Sequence, residues 1–253
     1  MKVTALGTQG WMPAQGRGGL CTAVETDGKL FVFELGTGIT SLFKPELQKQ
    51  IWDKYNEVHV IISHFHLDHI IGMSYLPALV GSKRIHFYSP GKLLGFDTKQ
   101  VLETIFSAPY YSSPPERWTW LASIRELTEG VQSIAGVELK VRIQDHPGGS
   151  LGFVVDNKFA QITDTICSNE TIDFVRGVDL LFHECWYLEE GEREDHSHLP
   201  GVIKISQEAG VPLTGLIHLN PTFAAEKYTK AIEKLGAEQS MKVVNDGEAF
   251  VVE

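Results

Sequence analysis

The sequence predicts an α/β fold in which two βαβ-like halves set their sheets face to face with helices outside. Three observations carry that expectation. Short apolar runs of strand character alternate with helical stretches along the chain. The 253 residues are 43% hydrophobic, enough for one sizeable core, so residues 1–253 are expected to form a single domain. An apolar run of buried-strand character, Val58-His59-Val60-Ile61-Ile62, ends at Ser63 and releases four metal-capable side chains within six residues: His64, His66, Asp68 and His69.

In chain order, Met1 to Thr8 reads as a strand turning at Gly7, followed by a Gly-rich loop, Gln9 to Gly19, holding Trp11, Pro13 and Arg17. No Gly-Lys-Ser/Thr follows it, so it is no Walker motif. It is either a structural turn or a rim over a site. Leu20 to Thr26 and Leu30 to Leu35 are strands joined at Asp27-Gly28, a strong hairpin signal. A helix is expected from about Ile39 to Tyr55. Another runs from Leu67 to Leu79 and sets Asp68 at its positive N-terminus. Strand Arg84 to Ser89 and helix Gly91 to Ser107 come next. The segment Ser107 to Trp120 holds two Tyr, two Trp and three Pro, and proline bars regular helix there. Its aromatics fold onto the core, contact a partner subunit or stack on a flat base.

Strands follow at Ala122 to Leu127, Val131 to Ile134 and Val137 to Gln144. The last ends in Asp145-His146-Pro147-Gly148-Gly149. Lys158 to Ile162 is a short strand ending at Thr163-Asp164-Thr165, before a helix from Asn169 to Arg176. Strand Val178 to Phe182 runs into His183-Glu184-Cys185, then an acidic loop, Glu189 to Asp195, and His196-Ser197-His198. Helix Pro200 to Ala209, strand Leu213 to Leu219 with His218 near its end, helix Thr222 to Leu235 and strands between Met241 and Val252 close the fold.

Bulk properties exclude several classes. Lys and Arg number 22 against 32 Asp and Glu, a net charge of −10, which argues against broad nucleic-acid binding through phosphates. Three scattered cysteines, Cys21, Cys167 and Cys185, form no disulfide framework, and a cytoplasmic location is expected. The first 13 residues lack a signal-like apolar core, and no run is long and apolar enough to span a membrane.

The early histidine cluster is the most informative stretch. Imidazole and carboxylate together suit zinc, iron, manganese or nickel. A strand cannot aim four consecutive donors at one point, because its side chains alternate faces, but a tight loop at a strand end can. The pattern His64-x-His66-x-Asp68-His69 resembles the HxHxDH signature of the metallo-β-lactamase superfamily. The opening strand, loop and hairpin, with Leu6-Gly7-Thr8-Gln9-Gly10 and Phe33-Glu34-Leu35-Gly36-Thr37-Gly38, resembles the ribonuclease Z-like branch, where Asp is usual at the position of Glu34.

That resemblance covers essentially the whole chain and implies a four-layer αβ/βα sandwich. It also implies two divalent metal ions, expected to be zinc with manganese as the alternative. His64, His66 and His146 would hold one ion and Asp68, His69 and His218 the other, with Asp164 bridging, about 3.5–4 Å apart as in two-metal hydrolytic sites. His183-Glu184-Cys185 resembles the HEAT stretch of that branch, and His196-Ser197 its following His-Ser/Thr. Glu184 is therefore expected to orient His196 as general acid. His198 is not decisively excluded from that role, and His183 and His198 read as surface or capping residues. Asp68 is counted with Glu184 and His196 as catalytic.

The branch includes tRNA 3′-processing ribonuclease Z and cyclic-nucleotide phosphodiesterases, among them viral anti-Pycsar enzymes. The chain shows no basic Gly-rich arm for tRNA, and Asn220-Pro221-Thr222-Phe223 stands where ribonuclease Z carries Pro-Arg-Tyr. The expectation is a dinuclear phosphodiesterase acting on a small nucleotide, a 3′,5′-cyclic mononucleotide, with Tyr110 or Trp118 covering the base. A tRNA endonuclease and a non-catalytic nucleotide sensor are the alternatives. The partners expected are a nucleotide substrate and a second copy in a homodimer, with tRNA less favoured and no membrane.

Overall fold

The computed structural model describes residues 1–191 and 195–253. Of the acidic loop, residues 192–194 lie outside that range. Strands β1 (Lys2–Gly7), β2 (Cys21–Thr26), β3 (Lys29–Phe33), β4 (Glu57–Ile61), β5 (Arg84–Ser89) and β6 (Leu121–Glu126) belong to the first sheet. Strands β7 (Gly130–Ile134), β8 (Val137–Gln144), β9 (Ser150–Val155), β10 (Phe159–Ile162), β11 (Leu180–Glu184), β12 (Leu213–Ile217) and β13 (Met241–Val243) belong to the second. The last strand, β14 (Ala249–Val251), returns to the first sheet and pairs with β1. The first sheet is ordered β14-β1-β2-β3-β4-β5-β6 and the second β13-β12-β11-β10-β9-β8-β7. Each has an antiparallel half and a parallel half, the latter spanning β3 to β6 and β10 to β13. The predicted βαβ character is therefore confined to those two parallel halves.

Period-two alternation explains the layers. Phe31, Phe33, Phe153, Phe159 and Phe182 point inward from both sheets and form the central core. Phe33 and Phe153 meet with centroids 5.4 Å apart. Val32, Val58, Val60 and Phe87 point outward, under Trp52, Leu76, Leu102 and Phe106. On the second sheet, Ile162 and Leu181 pack beneath α6 (Asn169–Phe174) and α7 (Leu199–Ala209), while Leu216 and Met241 pack beneath α7 and α8 (Ala225–Lys234). Burying each large apolar side chain is worth about 1.5–3 kcal/mol. The result is the predicted sandwich of two sheets flanked by helices.

The helices of the first half are shorter than predicted. The stretch read as one helix from Ile39 to Tyr55 is a 3-10 turn, Thr37–Phe43, then α1 (Pro45–Gln50) and a second 3-10 turn, Trp52–Lys54. Pro45 forces Lys44 into an extended conformation, with ψ of 123°. The helix expected from Leu67 to Leu79 divides into α2 (Leu67–Ile70), a 3-10 turn and α3 (Leu76–Leu79). The one expected from Gly91 to Ser107 divides at left-handed Gly95 into α4 (Gly91–Leu94) and α5 (Thr98–Ile105), the latter capped by the Asp97 side chain.

The aromatic segment from 107 to 120 folds largely onto the core. Trp118 is buried and stacks on Trp120 at 4.9 Å, and the Tyr111 hydroxyl donates to the Ser74 carbonyl. Tyr110 stays exposed beside an apolar groove of about 670 Å³ that Leu67, Ile71 and Ile105 also line. Trp118 therefore does not cover a base in the histidine pocket, and Tyr110 lines a different groove from that pocket.

The glycines of the first half have a packing role. A Cβ on Gly38 would lie 2.5 Å from both the Gly7 Cα and the Gly19 carbonyl oxygen. One on Gly36 would meet the Asp68 carbonyl at 2.8 Å. Three chain segments thus cross at backbone contact directly under the histidine loop. Gly38→Ala is expected to cost about 1–3 kcal/mol through overpacking, read as a lower urea midpoint at an unchanged slope.

Candidate metal centre

The site stands on the ends of strands from both sheets. Beyond β4, the loop from Ile62 to His66 leaves the first sheet and enters α2. Buried Glu34 holds it in place: its carboxylate accepts the Ser63 N–H at 3.1 Å and pairs with His69 Nδ1 at 3.1 Å. The Leu35 N–H donates to the His69 carbonyl at 2.8 Å. His146 follows β8, Asp164 follows β10, Glu184 ends β11 and His218 follows β12.

The structure brings the seven expected donors together. Donor atoms of His64, His66, His146 and Asp164 lie within 4.8 Å of one another, as do those of Asp68, His69 and His218. The two clusters meet at one carboxylate. Asp164 Oδ2 lies 3.8 Å from His64 Nε2 and 3.6 Å from His146 Nε2. Its other oxygen, Oδ1, lies 3.2 Å from His69 Nε2 and 3.4 Å from His218 Nε2. Asp68 Oδ2 sits 3.3 Å from His69 Nε2 and 3.5 Å from His218 Nε2.

These residues fit a pair of cations. His64 and His69 each bury an Nε2 atom that makes no hydrogen bond among the described residues. Buried polar atoms left this way are costly unless a ligand satisfies them. His146 Nδ1 donates to the Asp195 carbonyl at 3.0 Å, which leaves Nε2 with its lone pair toward Asp164. Burial holds His64 and His66 below the usual imidazole range, so both are neutral donors. Burial alone would raise the Asp68 carboxyl, but His69 and His218 hold it far below the usual carboxylate range. Imidazole with carboxylate is the donor chemistry of zinc and its neighbours.

Beside the donors sits the expected acid–base pair. His196 Nδ1 is 3.0 Å from Glu184 Oε1, which also accepts the Thr165 N–H at 2.8 Å. Burial pushes the His196 imidazole down, but Glu184 outweighs it and brings it up to about 9. Trp186 stacks on the His196 ring at 4.8 Å and 17°. His198 is not in this pair: its Nδ1 accepts the Gly201 N–H and caps α7, as the capping reading predicted. His183 is fully buried on the other face of β11, with Nδ1 on the Glu184 carbonyl, so its surface reading is corrected.

A pocket of about 290 Å³ opens on the donors, lined by Trp11, Pro147, Trp186, Asp195 and His196 as well as His66, Asp68, His146, Asp164 and His218. Sequence reasoning missed Trp186 and Asp195. The signal for Trp186 was its place just after the His183-Glu184-Cys185 strand end. Asp195 acts through a backbone carbonyl, which no residue type can announce.

Residues 36–219 match the beta-lactamase superfamily domain. Ribonuclease Z of Pyrococcus abyssi (strain GE5 / Orsay) is 23% identical over 288 residues, covering 93% of this chain and 91% of that protein. The metallo-beta-lactamase fold protein YhfI from Bacillus subtilis superposes with a TM-score of 0.76 at 18% identity, covering 98% of each chain. A diphosphatase from the PhnP family superposes at 0.73 and 18% identity, covering 100% of this chain and 98% of that one. The fold, the donor constellation and the match across most of its length agree: this chain belongs to the metallo-beta-lactamase superfamily, among its metal-dependent hydrolases.

Proposed function

We propose that this protein is a dinuclear phosphodiesterase that hydrolyses a small nucleotide, a 3′,5′-cyclic mononucleotide. The observation that carries this reading is the pocket over the donors. At about 290 Å³ it suits a small ligand, and no Lys or Arg is found among its described lining residues. A long polyanion is held by many basic contacts, whereas one diester can be held at two cations.

His64, His66 and His146 would hold one ion, Asp68, His69 and His218 the other, with Asp164 between them. When bound, the ions supply an attacking oxygen from water and charge for the phosphoryl oxygens. The chain's own residues do the rest. Asp164 and Asp68 fix the spacing of the two positions. Glu184 takes the Nδ1–H of His196 and keeps that ring protonated at Nε2. As the P–O bond to the leaving oxygen breaks, the His196 Nε2 proton passes to that oxygen, the water oxygen becomes bonded to phosphorus, and the proton that water sheds leaves to solvent. The ring opens to a nucleoside monophosphate.

A second reading is favoured by one finding, the Pyrococcus abyssi relative, whose name is Ribonuclease Z and which aligns over nearly the whole chain. On that reading the same pair of positions cuts precursor tRNA. With zinc or manganese, the purified protein is expected to linearise a 3′,5′-cyclic nucleotide, and His69→Ala or Asp164→Ala to abolish the reaction. Cleavage of precursor tRNA with no cyclic-nucleotide turnover would replace the first reading by the second.

The acid–base assignment makes a separable prediction. His196→Ala and Glu184→Gln should lower kcat on a cyclic nucleotide by about 10²- to 10⁴-fold, the usual worth of a positioned general acid. On bis-(p-nitrophenyl) phosphate, whose leaving group departs without a proton, the loss should stay within about tenfold. Equal losses on both substrates would assign the pair to structure instead.

A further inference from the structure

Of the two indoles lining the metal pocket, Trp11 is the one left mostly in water, at 62% exposure. Its neighbours fix it firmly. The Trp11 N–H donates to Asp68 Oδ2 at 3.1 Å, and the Gly10 N–H to the Leu219 carbonyl at 3.0 Å. A Cβ on Gly10 would strike the His218 ring at 2.7 Å and the Trp186 ring at 2.8 Å, so the loop rests directly on the site. The Trp11 backbone is left-handed, with φ of +58°, a conformation that a bulky residue seldom adopts.

An exposed indole held in a rare conformation over a donor cluster asks for a ligand. The other indole of the pocket, Trp186, already lies against His196. Among the described residues lining the pocket, Trp11, Pro147 and Trp186 offer apolar and aromatic surface beyond the donors. A flat heteroaromatic ring stacks on an indole whatever its hydrogen-bonding edge.

We propose that Trp11 is the stacking platform for the nucleobase of the substrate, holding the base at the rim while the phosphodiester sits at the donor cluster. The inference rests on the phosphodiesterase reading and names the part of the substrate that sets affinity. It moves base recognition from the aromatic segment at 107–120 to the Gly-rich loop.

The test pairs two substrates with the zinc-loaded protein: a 3′,5′-cyclic nucleotide and the sugar cyclic phosphate lacking a base. Trp11→Ala should lower the ratio of their kcat/KM values by about 5- to 100-fold, chiefly through KM for the nucleotide, and Trp11→Phe should recover most of it. Calorimetry supplies a second arm that needs no turnover. Trp11→Ala should weaken binding of a nucleoside 5′-monophosphate relative to inorganic phosphate by a similar factor. An unchanged ratio in both arms overturns the platform, as does an equal loss on both substrates, which would mean the loop only props Asp68. If no diester is cleaved but the calorimetric ratio falls, the phosphodiesterase reading fails and the platform stands.

Discussion

One carboxylate facing two ways is the constraint on which the rest of this structure depends. Asp164 turns Oδ2 toward His64 and His146 and Oδ1 toward His69 and His218. For that to happen, strand ends from two different sheets must reach the same few ångströms. His64, His66, Asp68 and His69 come from the first sheet, while His146, Asp164 and His218 come from the second. Face-to-face packing provides this, because the strands of each parallel half end on the same side, and β8, reversed twice through β9 relative to β10, ends there too. The phenylalanine core between the sheets is thus part of the site's geometry. It sets the distance across which the two halves present their donors.

The same constraint accounts for the unusual backbone at the site. Asp164, His218, Glu34 and Trp11 all have positive φ, between 46° and 62°. Asp and His tolerate this region comparatively well, whereas Glu and Trp do not. Such residues cost about 1–3 kcal/mol each and persist where the surroundings fix them. Here the fixing is visible. Glu34 is locked by Ser63 and His69, Trp11 by Asp68, and the loop after Asp164 by Glu184 through Thr165. Glu34 stands where Asp is usual, and the longer side chain still spans to both of its partners. The glycine crossing of Gly7, Gly19 and Gly38 brings the backbones close enough for these bonds to form.

Much of this was legible in the residues. His64, His66, Asp68 and His69 were readable from metal chemistry, which demands such residue types in a tight loop at a strand end; His146, Asp164, His218, Glu184 and His196 were readable only through the resemblance to the metallo-β-lactamase pattern. The hairpin at Asp27-Gly28 was readable because left-handed turns demand particular residues, and both adopt positive φ. What escaped was set by packing or by backbone. Pro45 and Gly95 interrupt helices that apolar periodicity alone runs together. Trp118 was offered as a cover for the base, yet its apolar bulk went into the core, where its Nε1–H still finds the Ser113 carbonyl. Trp11 sat in a loop whose role as turn or rim could not be chosen from composition.

The charges around the pocket explain why ions and substrate belong together. Asp68, Asp164 and Asp195 line it, and Glu184 and Glu34 lie immediately behind, against His196 and His69. An anionic diester approaching these groups alone would be repelled, and the net charge of −10 offers no long-range attraction. Divalent ions held at the donors would offset these carboxylates. In such a site the affinity for an anionic group would rest largely on the ions. Discrimination among such groups would then fall to the walls that hold no donor, Trp11, Pro147 and Trp186 among them.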